Sequence, residues 1–537
     1  MSLAAVLLLA RLAPADLVVE HATLWTNGKL SKNAFVAVRD GRFVAVGARH
    51  PDLVGPSTKR FDAKGKVVLP GLIDSHTHLL SGGLSLAELQ LEGTSSKSDF
   101  LARIEAWAKK TPPGEWIVGS GWSAESWPER TQPTKEWLDP VTGDRPTALR
   151  RMDGHSVLLN SAALKLAGID RTGPPSPSGG SIDRDANGEP TGLLRETAMS
   201  LAGRVIPSAS AEQTYQGLIA AVRLANSYGI TAVSEIASPG SFAQYRKYAS
   251  DSPTMRFALY PVAVFWTSEI AAAKAFQPID GWVGVQGVKA YMDGSLGSRT
   301  AWMLEPFTKP LPDQTSLTGL PRPGVTDGTY AKGIRAAAEA NMQVIVHAIG
   351  DRANRTILDL YEAGADNLPS RRFRVEHAQH TSPADIPRFG KLGVIASMQP
   401  YHKADDGRYC EEVIGTERSR SSYAYRQLLD GGAKLAFGSD WPVVTLNPFL
   451  GIEAAVTGRI QGGKVWMPHQ NITVNEALKA YTVDGAYAMR MEKEIGQVAP
   501  GFRADFSVLD ASPFERNPNW AKMKPVAVWS GGRQVAP

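Results

Sequence analysis

Apolar residues recur along the chain with two periods, and the switch between them divides it. From Asp16 to Val68 short segments alternate apolar and polar positions, as in DLVVEHATLW and AFVAVRDGRFVAVG, with Asp40-Gly41 as a hairpin-like turn. A similar stretch closes the chain in QVAPGFRADFSVLD and PVAVWSGGRQVA. A period of two is that of strands with one buried face. Neither flank buries much alone, so the expected unit is one β-sandwich built from both chain ends, residues 16–68 plus 495–537.

Between the flanks, compact apolar runs alternate with amphipathic stretches such as YAKGIRAAAEANM, RTILDLYEAG and RQLLDGG, whose apolar residues return at helical spacing. Eight runs read as strands: 67–78, 230–237, 255–264, 283–294, 342–351, 373–380, 393–400 and 434–443. Eight such strands, each followed by a helix, predict an α/β fold, a (β/α)8 TIM barrel over 69–494 with its active site at the strand C-termini. The first two strands are too far apart for a simple loop, so 82–225 is expected to be an insertion that covers the site and sets substrate choice.

The chain has 537 residues, 43% hydrophobic and 21% charged, which excludes general disorder. The net charge of +5 is interspersed; the short clusters Arg371-Arg372-Phe373-Arg374 and Arg418–Arg426 read as solvated surface, and no basic stripe points to a nucleic-acid partner. The single cysteine, Cys410, excludes an internal disulfide framework and a thiolate-rich metal site, leaving nitrogen and oxygen ligands. The opening MSLAAVLLLARLAPAD reads equally as the remnant of a signal peptide, which would place the protein in the periplasm or outside the cell, or as a plain apolar N-terminus of a cytoplasmic one. No run of about 18 apolar residues suggests a membrane span.

Candidate chemistry sits at the ends of the predicted strands. In DSHTH, His76 and His78 share one strand face while Thr77 faces away. His347 in QVIVHAIGD, His377 in FRVEHAQH and Asp440 in FGSDWPV end later strands, and each alone reads as well as a hydrogen-bonded core residue or a turn cap. Lys289 lies among apolar residues in VGVQGVKAYMDG. A buried ammonium needs a partner, such as Asp293, or a lowered pKa. A neutral amine there can add carbon dioxide and become an anionic carbamate ligand. Converging on a divalent cation, these groups would make water nucleophilic, with Asp440 as general base.

The ordered motifs LPGLIDSHTHL, GHSVLLNSAAL, GVKAYMDGSLGSRTA, VIVHAIGDRA, RVEHAQ, SMQP, FGSDWPV and GQVAPGFRADFSVLD resemble the amidohydrolase superfamily, specifically the YtcJ-like amidohydrolase-3 branch that includes N-substituted formamide deformylase. The resemblance covers nearly the whole chain. It implies a barrel plus β-sandwich, a centre usually of zinc with one or two ions, and hydrolysis of non-peptide C–N bonds in a small-molecule substrate. Carried onto this chain, His76, His78 and Asp440 hold one ion and His347 and His377 the other, with Lys289 as the candidate bridging carbamate. His155, beside Asp153, is expected to bind a substrate carbonyl or oxyanion. Trp122, Arg299, His402 and Trp441, with Tyr401, are expected to face substrate, the alternatives being ordinary packing for Trp122, Tyr401 and Trp441 and pairing with a loop carboxylate for Arg299 and His402. Two further readings stay open, a mononuclear deaminase of a heterocycle and a catalytically silent scaffold. Oligomeric state is open as well.

Overall fold

A computed structural model describes residues 13–311, 314 and 316–537. The apolar opening of the chain lies, through residue 12, outside the described residues. Strands from both chain ends interleave in one eight-stranded sheet, in which Phe506–Leu509 pairs antiparallel with Val67–Pro70. Alternation explains its two apolar faces: Val18 and Ala37 belong to one cluster, Val19, Val36 and Val38 to the other, which also holds Phe43, Phe506 and Trp529.

The centre of the molecule is α/β. Eight parallel strands run β1 (Leu72–Thr77), β2 (Ile230–Ala237), β3 (Arg256–Pro261), β4 (Gly287–Tyr291), β5 (Gln343–Ala348), β6 (Arg374–His377), β7 (Ile395–Met398) and β8 (Leu435–Phe437). They form two arcs, β1-β2-β3 with the short strand Val283–Val285, and β4 through β8. The arcs meet at both ends. Val262 bridges Lys289 in parallel, and Asp440 N donates to His76 O at 2.7 Å. Along each strand alternate residues sort to opposite sides: Phe257 and Leu259 join the large cluster under the helices, whereas Ala258 and Tyr260 join Ile73 and Ile345 inside. Helices Phe242–Ser250, Thr267–Ala275, Thr329–Glu339, Asp351–Gly364 and Ile386–Leu392 follow β2 to β6 in turn.

Two predicted strands are divided. The run 67–78 splits at Gly71, giving its first half to the terminal sheet and its second to β1. Gly71 N donates to Asp505 O, and a Cβ at Gly71 would lie 2.0 Å from Thr231 Oγ1, so only glycine passes between the two sheets. The run 283–294 breaks at Gln286.

The stretch between β1 and β2 carries its own six-stranded sheet, in the order Gly180–Arg184, Pro190–Glu196, Ser156–Leu159, Thr147–Arg151, Ile117–Trp122 and Leu89–Gln90. Phe100, Ile104, Trp122, Trp127 and Leu158 form a core of its own. Among the described residues no helix is long and apolar enough to cross a membrane.

Candidate metal centre

The seam between β1 and β8 builds the first half of the site. His78 N donates to Trp441 O at 2.9 Å, and Asp74 accepts from both the backbone and the hydroxyl of Ser439. A Cβ at Gly438 would stand 2.5 Å from His76 N, so this contact also requires glycine. His76 Nε2 and His78 Nε2 thereby come to 3.3 Å from the same atom, Asp440 Oδ1.

Hydrogen bonding fixes which nitrogen of His76 faces inward. Its Nδ1 lies 2.6 Å from Glu376 Oε2, and Arg374 Nε donates to Glu376 Oε1 at 2.7 Å; all three side chains are fully buried. Burial pushes the Glu376 carboxyl up, but Arg374 and His76 outweigh it and hold the group at about 2. A carboxylate only accepts, so Nδ1 carries a hydrogen, and in the neutral ring Nε2 carries the lone pair. Nε2 faces Asp440 Oδ1 at 3.3 Å, and Oδ1 is buried without a hydrogen-bond partner. Two acceptors converging at 3.3 Å are what a divalent cation would reconcile, so this donor set fits a metal.

Lys289 Nζ is 3.3 Å from His76 Nε2 and lies over the Tyr291 ring at 4.5 Å. Burial, partly countered by Glu376 and Asp440, lowers its pKa to about 8. Asp293 is not its partner: that carboxylate accepts from the backbone N–H groups of Trp302, Ile349 and Gly350. His347 donates from Nε2 to Gly294 O at 3.0 Å, and its ring centre is 4.5 Å from that of His377. His377 Nδ1 is 2.7 Å from Gln399 Oε1. Among the described residues two groups have ligand atoms mutually within 4.8 Å: His76, His78 and Asp440, and His377, His402 and Asp440. His347, expected beside His377 as a ligand, is in neither group, and His402, expected to face substrate, is in the second.

A cavity opens over these residues, lined in part by Asp440, His347, His377, His402 and, from the insertion, Arg151, Asp153 and His155. His155 Nδ1 meets both oxygens of Glu196 at 3.0 and 3.1 Å, and Glu196 also accepts from Thr300 Oγ1 and pairs with Arg322. Burial lowers the His155 pKa, but the Glu196 carboxylate outweighs it and the net shift is upward. Asp153 pairs with Arg151 and accepts from Ser295 and Ser298.

The remaining expected residues stand elsewhere. Trp122 is buried in the insertion core, with its indole N–H donated to Leu149 O at 2.9 Å. Arg299 staples its own loop through the carbonyls of Leu296, Gly297 and Lys309. Trp441 packs its ring against Gly82, and neither it nor Tyr401 lines the cavity. Arg374, grouped by sequence with a solvated basic cluster, is wholly buried. Sequence reasoning missed Glu376, Glu196, Gln379 and Gln399. The signal for the first was present: Arg374 and Glu376 alternate with apolar Phe373 and Val375 inside FRVEH, which puts two charges on the inner face.

Comparison with known proteins identifies the family. The sequence profile of the Amidohydrolase family matches residues 59–536. The chain is 36% identical to Protein LONG AFTER FAR-RED 3 of Arabidopsis thaliana, over 97% of this chain and 92% of that one. It is 32% identical to the Putative amidohydrolase YtcJ of Bacillus subtilis (86% and 87% covered) and 26% identical to N-substituted formamide deformylase of Arthrobacter pascens (93% and 94%). Among solved structures, an uncharacterized metal-dependent hydrolase from Pyrococcus furiosus superposes with a TM-score of 0.71 at 26% identity, covering 93% of this chain and all of the other. With a family profile spanning the centre from β1 to β8, the chain belongs to the amidohydrolase family.

Proposed function

We propose that the protein is a metal-dependent hydrolase of a small molecule, cleaving a carbon–nitrogen bond other than a peptide bond in an N-acyl, formamide or cyclic amide substrate. The two arcs are read as a (β/α)8 barrel beside a terminal β-sandwich. One observation carries the reading: His76 Nε2 and His78 Nε2 converge on Oδ1 of Asp440, an atom with no hydrogen-bond partner on a residue that lines the cavity. The similarity to N-substituted formamide deformylase supports the choice of bond.

His76, His78 and Asp440 would hold the ion, zinc by the nature of the nitrogen and oxygen donors. A bound divalent cation supplies Lewis-acid polarisation of a carbonyl and lowers the pKa of water toward neutrality. The chain supplies the rest. Glu376, clamped by Arg374, keeps His76 in the tautomer with Nε2 free. Asp440 is the carboxylate on which His76 and His78 converge. It takes a proton from water as the oxygen bonds to the carbonyl carbon, and returns it to nitrogen as the C–N bond breaks. His155, whose pKa Glu196 shifts upward, would in its protonated form donate a hydrogen bond to the developing oxyanion. Lys289, with an amine that deprotonates near pH 8, is suited to add carbon dioxide with loss of one proton, giving a carbamate.

The test is a panel of N-formyl, N-acyl and cyclic amides offered to metal-stripped protein with and without zinc. Zinc-dependent release of amine and carboxylic acid supports the reading. Ammonia release from heterocycles alone would favour a deaminase instead, and zinc-bound protein inactive on every substrate would favour a silent scaffold.

A further inference from the structure

We propose that the substrate is a secondary amide whose nitrogen carries a short arm ending in a cation, and that His402 and Asp405 select it. The inference rests on the hydrolase reading above and deepens it by naming the substrate class.

Both residues stand on the helix Pro400–Asp406, three positions apart and so on one face, about 5–6 Å from each other. That face lines the cavity with His402, Asp405 and Asp406. His402 is 8% exposed, and its Nε2 has no hydrogen-bond partner. Buried polar atoms are rarely left so, and this one asks for a partner from outside the chain. Gln379 fixes which kind. Its Nε2 donates to Asp406 and Tyr423, so its Oε1 is the atom 3.5 Å from His402 Nδ1. An amide oxygen only accepts, so Nδ1 carries a hydrogen, and in the neutral ring Nε2 carries the lone pair. Such an atom takes an N–H and refuses a carbonyl oxygen. It stands 3.7 Å from Asp440 Oδ2, beside the carboxylate on which His76 and His78 converge, where the N–H of the amide to be cut would lie.

Asp405 extends the site by one turn. It pairs with Arg408 through Oδ1, and among the described residues no donor reaches Oδ2. The acids around it have little charge to spare for an anion. Asp406 takes only the neutral donors Tyr409, Tyr423 and Gln379. Arg151 is shared by Glu125 and Asp153, which leaves only a buried Nε. Arg299, whose charge also reaches Glu125, spends Nε and Nη1 on carbonyls. A carboxylate on the substrate would meet acids whose cations are already engaged, whereas an ammonium would meet Asp405 Oδ2. Burial pushes the Asp405 carboxyl up to about 6, and a cation delivered there would offset that cost. Val443 and Val444, in the same cavity, suit an alkyl arm.

Three formamides of one butyl chain, ending in an ammonium, a methyl or a carboxylate group, are titrated calorimetrically into metal-free protein and then assayed with zinc-loaded protein. The expected order in affinity and in kcat/KM is ammonium, methyl, carboxylate, with ammonium ahead of methyl by about tenfold or more, as a hydrogen bond between charged groups allows. Asp405→Asn should lower that preference about tenfold, a ratio that partial unfolding would leave unmoved. Methylating the amide nitrogen of the ammonium compound should weaken its binding about fivefold, a penalty that His402→Ala should abolish. Equal or reversed ranking of the ammonium and methyl compounds in wild type, or a ranking untouched by Asp405→Asn, overturns the cationic arm. A methylation penalty equal in wild type and His402→Ala overturns the part given to His402. Zinc-loaded protein inactive on every amide overturns the hydrolase reading, while the ranking in metal-free protein still decides this one.

Discussion

Replacing Glu376 with glutamine changes one buried oxygen into an amide nitrogen at almost constant shape, and the structure fixes the cost. The carboxylate joins Arg374 Nε at 2.7 Å to His76 Nδ1 at 2.6 Å with no solvent contact. Its pKa falls from the ordinary glutamate value of 4.5 to about 2. At 1.36 kcal/mol per pH unit, that displacement is worth about 3 kcal/mol of stability. Breaking a buried pair by removing one partner costs roughly 3–5 kcal/mol, which agrees. Because the folded pKa is depressed, this contribution is complete above about pH 4.5 and lost as pH falls through about 2. In a chain of this size a single unfolding free energy is ill defined, so the assay is amide hydrogen exchange of the metal-free protein over β1, β6 and β7, read by mass spectrometry. Protection should fall about 10²-fold in those strands at pH 7, with the terminal sheet unaffected. The variant also presents an N–H to either Arg374 or His76, so divalent affinity should drop about 10–100-fold. Protection in β1 and β6 within about threefold of wild type would refute the claim that this carboxylate anchors the centre.

Other substitutions separate the remaining roles. Asp440→Asn keeps the fold but removes the proton acceptor, so kcat should fall about 10²–10⁴-fold with the thermal midpoint of metal-free protein little changed. Glu196→Gln removes the carboxylate that holds the His155 pKa up, so the alkaline limb of the rate profile should move to lower pH; an unmoved limb would remove His155 from the reaction. Gly71→Ala drives a methyl to 2.0 Å from Thr231 Oγ1 and should cost about 1–3 kcal/mol, partly recovered by Thr231→Ala in the same chain, as thermal unfolding would show. Lys289→Ala should lose activity and divalent content, and a short carboxylic acid should restore part of both if the side chain serves as a carbamate.

The strand periods were legible because the central strands are apolar on the outside and short. The six strands of the insertion were not, since their antiparallel partners, such as Gly180–Arg184 with Pro190–Glu196, sit in a stretch rich in proline, glycine and serine whose composition reads as loop. The run 67–78 showed no break because both halves are buried, in different sheets, and only Gly71 marks the passage. Site residues at strand ends followed from position alone. Residues one loop away did not, because the direction of a side chain there depends on what the loop packs against: Arg299 turns to its own carbonyls, whereas His402, next to Tyr401 on the helix Pro400–Asp406, turns to Asp440. Arg374 was misread for a related reason. Three arginines in four positions look like a surface, and only the two-residue spacing to Glu376 tells otherwise.

That same spacing explains why the centre contains strained backbone. Arg374 and Glu376 point inward from β6 while Val375 packs outward. Strict alternation would send His377 outward as well. It instead adopts φ 72°, a left-handed conformation disfavoured for any side chain but glycine, and its ring comes to the same interior as Glu376. Asp440 does likewise at φ 59° just beyond β8. Each such residue costs on the order of 1–3 kcal/mol and persists only where the surroundings impose it. Here they do: His377 is held by Gln399, and Asp440 by the hydrogen bond from its N–H to His76 O. The two adjacent inward residues therefore divide the labour that one could not perform. Glu376 orients His76 from behind while His377 faces Asp440 from the front, and the strain at His377 is what places orienting carboxylate and imidazole side by side on a four-residue strand.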